Sequence, residues 1–529
     1  MTRLEWKRTV LLLIVWLLAV LGAACNQRQG ADEPQIMTPK MEIPKPKARD
    51  TEPEPPLDRE QYELLDENPF HLVADEPLST FSIDVDTAGY ANVRRMIRQG
   101  ELPPVDAVRI EEMINCFRYA YPEPEGVEPF SVSSEVASCP WQPEHRLVRL
   151  GLKARDIDWT DRPASNLVFL LDVSGSMNSP NKLPLVKKAI KMLVETLGSG
   201  DRVAIVAYAG AAGLVLDSTH CDDELTILEA LEQLEAGGST AGGAGIELAY
   251  QVAERNFIEG GLNRVILGTD GDFNVGITDQ GSLVRLIREK AKSGVFLTVL
   301  GFGMGNLQDS TLEKLADQGN GNYGYIDSEL EARKLLVQEA GGTMITVAKD
   351  VKIQVEFNPV QVHAFRLIGY ENRLLAHQDF ADDTKDAGEI GAGHTVTALY
   401  EVVPAGVDLE MPGAEPLRYQ RPAELADVAD SGELLFVKLR YKLPDEDTST
   451  LISVPVVDEG LAFDVASDDL HLAAGVAAFG MLLRDSQYRG AADFDLASEL
   501  IAKGSAYDPN GYRTELAELV TEAQQLGER

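Results

Sequence analysis

Four uninterrupted apolar runs set the limits on what this chain can fold into: "NLVFLLDV" at 166–173, "RVAIVAYA" at 202–209, "RVILGTD" at 264–270 and "VFLTVLGFG" at 295–303. A strand with no polar alternation has no face to show to water. It must be covered on both sides, as in a parallel sheet sandwiched by helices. The segments between the runs supply those helices. Leu183, Val186, Ile190, Leu193, Val194 and Leu197 recur at helical spacing, and "AGIELAYQVAERNF" and "SLVRLIREKAKSG" read as further helices. Strands alternating with helices predict a doubly wound α/β domain over residues 163–344.

The flanks have a different period. Val148, Leu150 and Leu152 share one face of "HRLVRLGLKA", just before the α/β domain. Val351, Ile353, Val355 and Phe357 alternate just after it. Both patterns are those of half-buried antiparallel strands. The two ends of a doubly wound domain emerge near one another, so the spacing predicts an α/β domain inserted into a β-sandwich. Residues 146–154 and 349–357 would share one β unit, with 395–403 and 434–443 completing much of it. The remaining organisation reads as an N-terminal α+β region at 61–162, a β-sandwich-like region at 345–466 and a helical C-terminal region at 467–529. No internal repeat is visible.

In open α/β sheets ligands bind at the carboxyl ends of the strands, and there the sequence carries its chemistry. "VFLLDVSGSM" puts Asp172, Ser174 and Ser176 in the loop after the first buried strand, and Gly175 suits a tight turn. "GGSTAGGAG" offers Thr240 just before a helix, and "VILGTDGD" ends a strand at Asp270. Oxygen-only donors suit a hard cation, and a six-coordinate site that keeps waters suits Mg²⁺, with Mn²⁺ or Ca²⁺ as alternatives. The plainer reading makes Ser174 and Ser176 helix caps and the aspartates turn residues, but capping does not call for the other two loops.

The order D-x-S-x-S, then Thr, then Asp resembles the metal-ion-dependent adhesion site of von Willebrand factor type A domains. The resemblance implies that Ser174 and Ser176 contact the metal directly, Thr240 directly or through water, and Asp172 and Asp270 largely through water. One coordination position would stay open for an Asp or Glu carboxylate of a protein partner. "STFSIDVDTAGYANVRR", "RIEEMIN", "GTDGDFNVG" and "RLIGYENRLL" through "DAGEIGAGHTVTALYEVVP" extend the similarity over roughly residues 65–525. Together they resemble a family of bacterial lipoproteins that flank such a domain with their own N- and C-terminal regions.

The start of the chain fits that resemblance. Arg3, Lys7 and Arg8 precede an apolar core from Leu11 to Leu21, and Gly22-Ala23-Ala24-Cys25 follows, as in a secretory signal ending in a lipobox. The usual Leu three places before the cysteine is displaced, because Gly22 stands there. Residues 1–25 are read as a lipoprotein signal peptide with Cys25 as the lipidated residue. The Pro-rich, charged stretch 26–60 cannot bury a core and reads as a disordered tether, about 30 residues that reach ~90 Å when extended at ~3.1 Å each. Asn26 after the cysteine, rather than Asp, favours an outer-membrane anchor facing the periplasm or the cell surface. A formal net charge of −37 repels phosphate backbones and excludes nucleic acid as an expected partner.

Three weaker signals remain. Asp84, Asp86 and Thr87 in "SIDVDTA" have a spacing near that of haloacid dehalogenase-type phosphatases, but capping of the following helix by Asp86 or Thr87 is the simpler reading. Asp379, Asp382, Asp383, Asp386, Glu389 and His394 crowd one loop; a Ca²⁺ site is weighed there against a solvated loop, which is preferred. Cys116, Cys139 and Cys221 leave at least one thiol unpaired, with Cys116 and Cys139 able to pair. No nucleophile–base arrangement emerges. The expected function is therefore non-enzymatic: metal-dependent, adhesion-like binding of a protein partner by a membrane-anchored envelope protein. The alternatives are a metal-dependent hydrolase and a structural envelope protein whose metal only stabilises loops.

Overall fold

The computed structural model describes residues 60, 62, 64–157, 162–238, 242–271, 280–304, 307–383, 385, 387–409, 425–444 and 446–528. The expected signal peptide, Cys25 and the tether before Glu60 lie outside the described residues. The first elements are β1 (His71–Leu72), β2 (Leu78–Ser82), α1 (Ala88–Arg98), α2 (Ile110–Asn115), β3 (Phe130–Cys139) and β4 (Gln142–Ala154). The α/β domain follows with β5 (Ser165–Asp172), α3 (Leu183–Val194), β6 (Arg202–Tyr208), β7 (Ala212–His220), α4 (Glu224–Glu232), α5 (Gly242–Arg255) and β8 (Leu262–Thr269). It continues through α6 (Gln280–Ala291), β9 (Phe296–Phe302), α7 (Asp309–Gln318), β10 (Tyr323–Ile326), α8 (Glu329–Arg333) and α9 (Ala340–Met344). The chain then forms β11 (Thr346–Phe357), β12 (Val362–Ile368), β13 (Ile390–Gly391), β14 (Thr395–Pro404), β15 (Glu433–Lys442) and β16 (Thr450–Val457), and ends in α10 (Asp468–Leu483), α11 (Phe494–Lys503) and α12 (Tyr512–Gly527).

The apolar runs do become strands covered on both faces. The α/β sheet has the order β10-β9-β8-β5-β6-β7, parallel except for β7, which runs antiparallel at the edge. All eight residues of β5 are buried. Val168 and Leu170 pack toward α5, while Leu167, Phe169 and Leu171 pack toward α3. This is the doubly wound fold read from the sequence, and it is inserted in a sandwich. One sheet of the sandwich has the order β1-β12-β14-β4-β3; the other has β13-β11-β15-β16, with β2 also paired to β11. The strands that enter and leave the α/β domain, β4 and β11, therefore lie in facing sheets of one unit. Val148, Leu150 and Leu152 share its core with Ile353, Val355 and Phe357.

The helices form a third layer. α10 is buried at every position from Leu470 to Met481, because the outer face of the β4 sheet, α2, α11 and α12 surround it. A helix enclosed on all sides needs no polar face. The segment 61–162 supplies four strands to the two sheets and two helices, and α1 places Ala88 and Ala91 in the core of the α/β domain.

Buried ion pairs join the α/β domain to this frame. Asp309, Glu313 and Asp317 lie at four-residue intervals on α7, so they share one face of it. Arg109 pairs with Asp309 at 2.7 Å and Glu313 at 3.1 Å. Arg373 reaches Glu313 at 2.8 Å and Asp317 at 3.1 Å. Arg373 also holds Asp84 at 3.2 Å and Asp86 at 2.9 Å. The capping reading of "SIDVDTA" is thereby corrected. Neither Asp86 nor Thr87 caps α1: Asp86 accepts the Tyr323 backbone N–H at 2.9 Å, and the Gly89 N–H donates instead to Glu112 at 2.6 Å.

The pairing that the sequence leaves open is absent: Cys116, Cys139 and Cys221 are all free and buried. Lys334 Nζ sits 2.8 Å from the Cys116 sulfur. In the acidic loop, Asp383 accepts from the Ser449 hydroxyl at 2.7 Å and pairs with Arg440 at 3.3 Å, so part of that loop is tied to β15 rather than freely solvated. Asp386 lies outside the described residues.

Candidate functional site

The strand order reverses around β5, which pairs with β6 on one side and β8 on the other. At such a switch point the loops leaving neighbouring strands diverge and open a crevice. Asp172 is the last residue of β5 and Asp270 directly follows β8, so register alone brings the two aspartates to the same edge. Neither has any exposed surface, and Ser174 is almost as deeply buried. Ser176 is exposed, so the site opens to solvent on that side.

The first loop is held by its own polar groups. The Ser174 N–H donates to Asp172 Oδ1 at 2.8 Å, and the Thr269 hydroxyl lies 3.3 Å from Asp172 Oδ2. The hydroxyls of Ser174 and Ser176 are 3.0 Å apart. Ser174 stands at the head of the turn Gly175–Asn178 and makes no side-chain cap there, so the capping alternative does not describe it. The second loop is pinned to the first: the Gly175 N–H donates to Gly238 O at 3.0 Å and the Gly237 N–H to Val173 O at 2.7 Å. Thr240 lies outside the described residues, two positions beyond this junction. The structure thus brings together Asp172, Ser174, Ser176 and Asp270 and anchors the backbone that leads to Thr240.

Burial pushes the Asp172 carboxyl up to about 6; its hydrogen bonds from Ser174 pull the other way, and the nearby Asp270 charge adds to the rise. A buried carboxylate raised in this manner gains most from a cation. The donor set is all oxygen, carboxylate and hydroxyl, which is the chemistry a hard divalent ion takes. Among the described residues no group of three or more His, Cys, Asp or Glu side chains is placed to hold a metal; the crevice offers two carboxylates and two serine hydroxyls instead. One participant was missed in the sequence. Lys182, just before α3, places Nζ 2.8 Å from Asp270 Oδ2. Its only sequence signal is a lysine close after D-x-S-x-S, which any exposed helix start would also show.

Comparison with known proteins agrees with this architecture. The family model of the von Willebrand factor type A domain matches residues 166–339, and a model described as von Willebrand factor matches 56–149. Fold and sequence thus define a bacterial protein with a von Willebrand factor type A domain, a class that commonly mediates interactions between proteins. A model described as the C-terminal region of the uncharacterized protein YfbK matches residues 342–526. The chain is 42% identical over 468 residues to the uncharacterized protein YfbK of Escherichia coli (strain K12), spanning 87% of this chain and 80% of that one. It belongs to the YfbK family. The uncharacterized protein sll0103 of Synechocystis is 32% identical over 187 residues, 35% of this chain and 43% of that protein. Among solved structures, a von Willebrand factor type A protein from Catenulispora acidiphila aligns over 74% of this chain and 96% of its own, at 17% identity and a TM-score of 0.40.

Proposed function

We propose that the protein binds a partner protein through a divalent metal, Mg²⁺ first, held by Asp172, Ser174, Ser176, Thr240 and Asp270, in the manner of a metal-ion-dependent adhesion site. The observation that carries the proposal is the convergence of Asp172, Ser174, Ser176 and Asp270 at the switch point of the sheet. An Asp or Glu carboxylate of the partner would complete the coordination, replacing water at the open position. Cys25 would anchor the protein in the bacterial envelope by a lipid, at the outer membrane, with the Pro-rich stretch as tether. The insertion supports a role in which load matters. Two chain connections and the arginine clamps tie the metal domain to the sandwich, so a pull on a bound partner would pass into the frame.

The test is thermal unfolding with Mg²⁺ or Mn²⁺ against chelator. Only the folded loops assemble the site, so metal should raise the melting temperature. Asp172→Ala and Asp270→Ala should abolish that rise. An equal rise in both variants would rule out the proposed ligands.

A further inference from the structure

Lys182 occupies a position that the five proposed ligands do not explain. Its side chain is buried, and its ammonium lies against Asp270, which has no exposed surface. The route to that carboxylate is built into the backbone. Gly303, directly after β9, takes a φ of +78°, and a Cβ there would collide with the Lys182 stem. A lysine loses side-chain entropy and ammonium hydration when it is enclosed. Its retention here implies a compensating partner, which the buried carboxylate of Asp270 provides.

Resting on the metal-dependent reading above, we infer that Lys182 is the built-in counter-cation of the site: it holds Asp270 while no divalent ion is bound and weakens the binding of the ion by its charge. The charges show what this would do. Among the described side chains of the site, ionised Asp172 and Asp270 alone would carry two negative charges; with Lys182 the three carry one. A divalent ion entering beside an ammonium is repelled in a pocket that water and salt screen poorly. Once bound, it leaves the group with a net positive charge of one, facing the open coordination position. That surplus draws in an anionic oxygen of a partner. Without the lysine, metal and carboxylates would cancel, giving a tightly held ion with little attraction for a carboxylate.

The experiment compares the intact protein with Lys182→Met and Lys182→Arg, titrating Mg²⁺ calorimetrically and melting each protein in chelator and in Mg²⁺. Lys182→Met should bind Mg²⁺ at least about tenfold more tightly. It should also melt lower than wild type in chelator and gain more on adding Mg²⁺. A lysine that served packing alone would lower both melts equally. Lys182→Arg keeps the charge and should stay within about threefold of wild type. Gly303→Ala displaces the same ammonium sterically and should shift affinity in the direction of Lys182→Met; it replaces that variant if it does not fold. Wild-type binding that Lys182→Met leaves unchanged or weakens overturns the inference. Binding seen only in Lys182→Met supports the inference and overturns the metal-dependent reading of the native protein. Silence in every protein overturns both.

Discussion

Replacing Asp172 by Asn should stabilise the metal-free protein. Burial raises the Asp172 carboxyl from its ordinary 3.8 to about 6. Between those values the folded protein keeps a proton that the unfolded chain has released, so stability falls as pH rises through the window and the loss is complete above it. The difference of about two pH units, at ~1.4 kcal/mol each, amounts to ~3 kcal/mol at neutral pH. Asn has the same shape without the charge. Its carbonyl can accept the Ser174 N–H that now meets Asp172 Oδ1 at 2.8 Å. Its amide can donate to the Thr269 hydroxyl that now lies 3.3 Å from Oδ2. In chelator at about pH 7 the variant should therefore be more stable by ~2–3 kcal/mol, and the gain should shrink through pH 4 and vanish below about pH 3, where the carboxyl is protonated in both states. Urea unfolding of both proteins at several pH values between these limits measures it. In Mg²⁺ the order should narrow or reverse, because only the wild type gains from the metal. A difference that is flat across the pH range, or a variant less stable at neutral pH, would refute the reasoning.

Arg373→Met should leave Asp84, Asp86, Glu313 and Asp317 without their shared cation. A loss of roughly 3–5 kcal/mol is expected in urea unfolding, with faster amide exchange in α7 and a smaller loss in acid; an unchanged urea midpoint would show that the clamp is not a stabilising contact. Replacing residues 160–345 with a short Gly/Ser linker should leave a folded β unit, since β4, β11, β14 and β15 all lie outside the excised segment. That unit should melt lower than the full chain, because Arg109 and Arg373 lose their α7 partners; circular dichroism with no cooperative transition would count against an independent sandwich. Cys25→Ser should release the protein from membranes or block its processing, because several acyl chains hold firmly where one binds marginally. Membrane fractionation checks this, and a variant that is cleaved correctly yet still membrane-bound would defeat the anchor.

The period of the apolar residues was enough to place the parallel core, the inserted domain and the crevice. Burial leaves a local trace: a strand covered on both faces, such as 166–171, cannot alternate, and a strand covered on one face, such as 436–441, must. The D-x-S-x-S spacing is likewise local, so Asp172, Ser174 and Ser176 were legible in the sequence itself. Asp270 was legible because it ends a buried strand. Partners far apart in the chain leave no such trace. Nothing in "NKLPLV" says that Lys182 turns inward to Asp270, because that depends on Gly303, over a hundred residues later, leaving space for its stem. Nothing in "SIDVDTA" separates a helix cap from a clamp, because Arg373 arrives from the other side of the α/β insertion. The stripe Asp309, Glu313, Asp317 has the spacing of an ordinary solvated helix face, and only the packing of α7 against the frame buries Asp309 and Glu313. Polar side chains take their meaning from what stands opposite, and the path of the chain decides that.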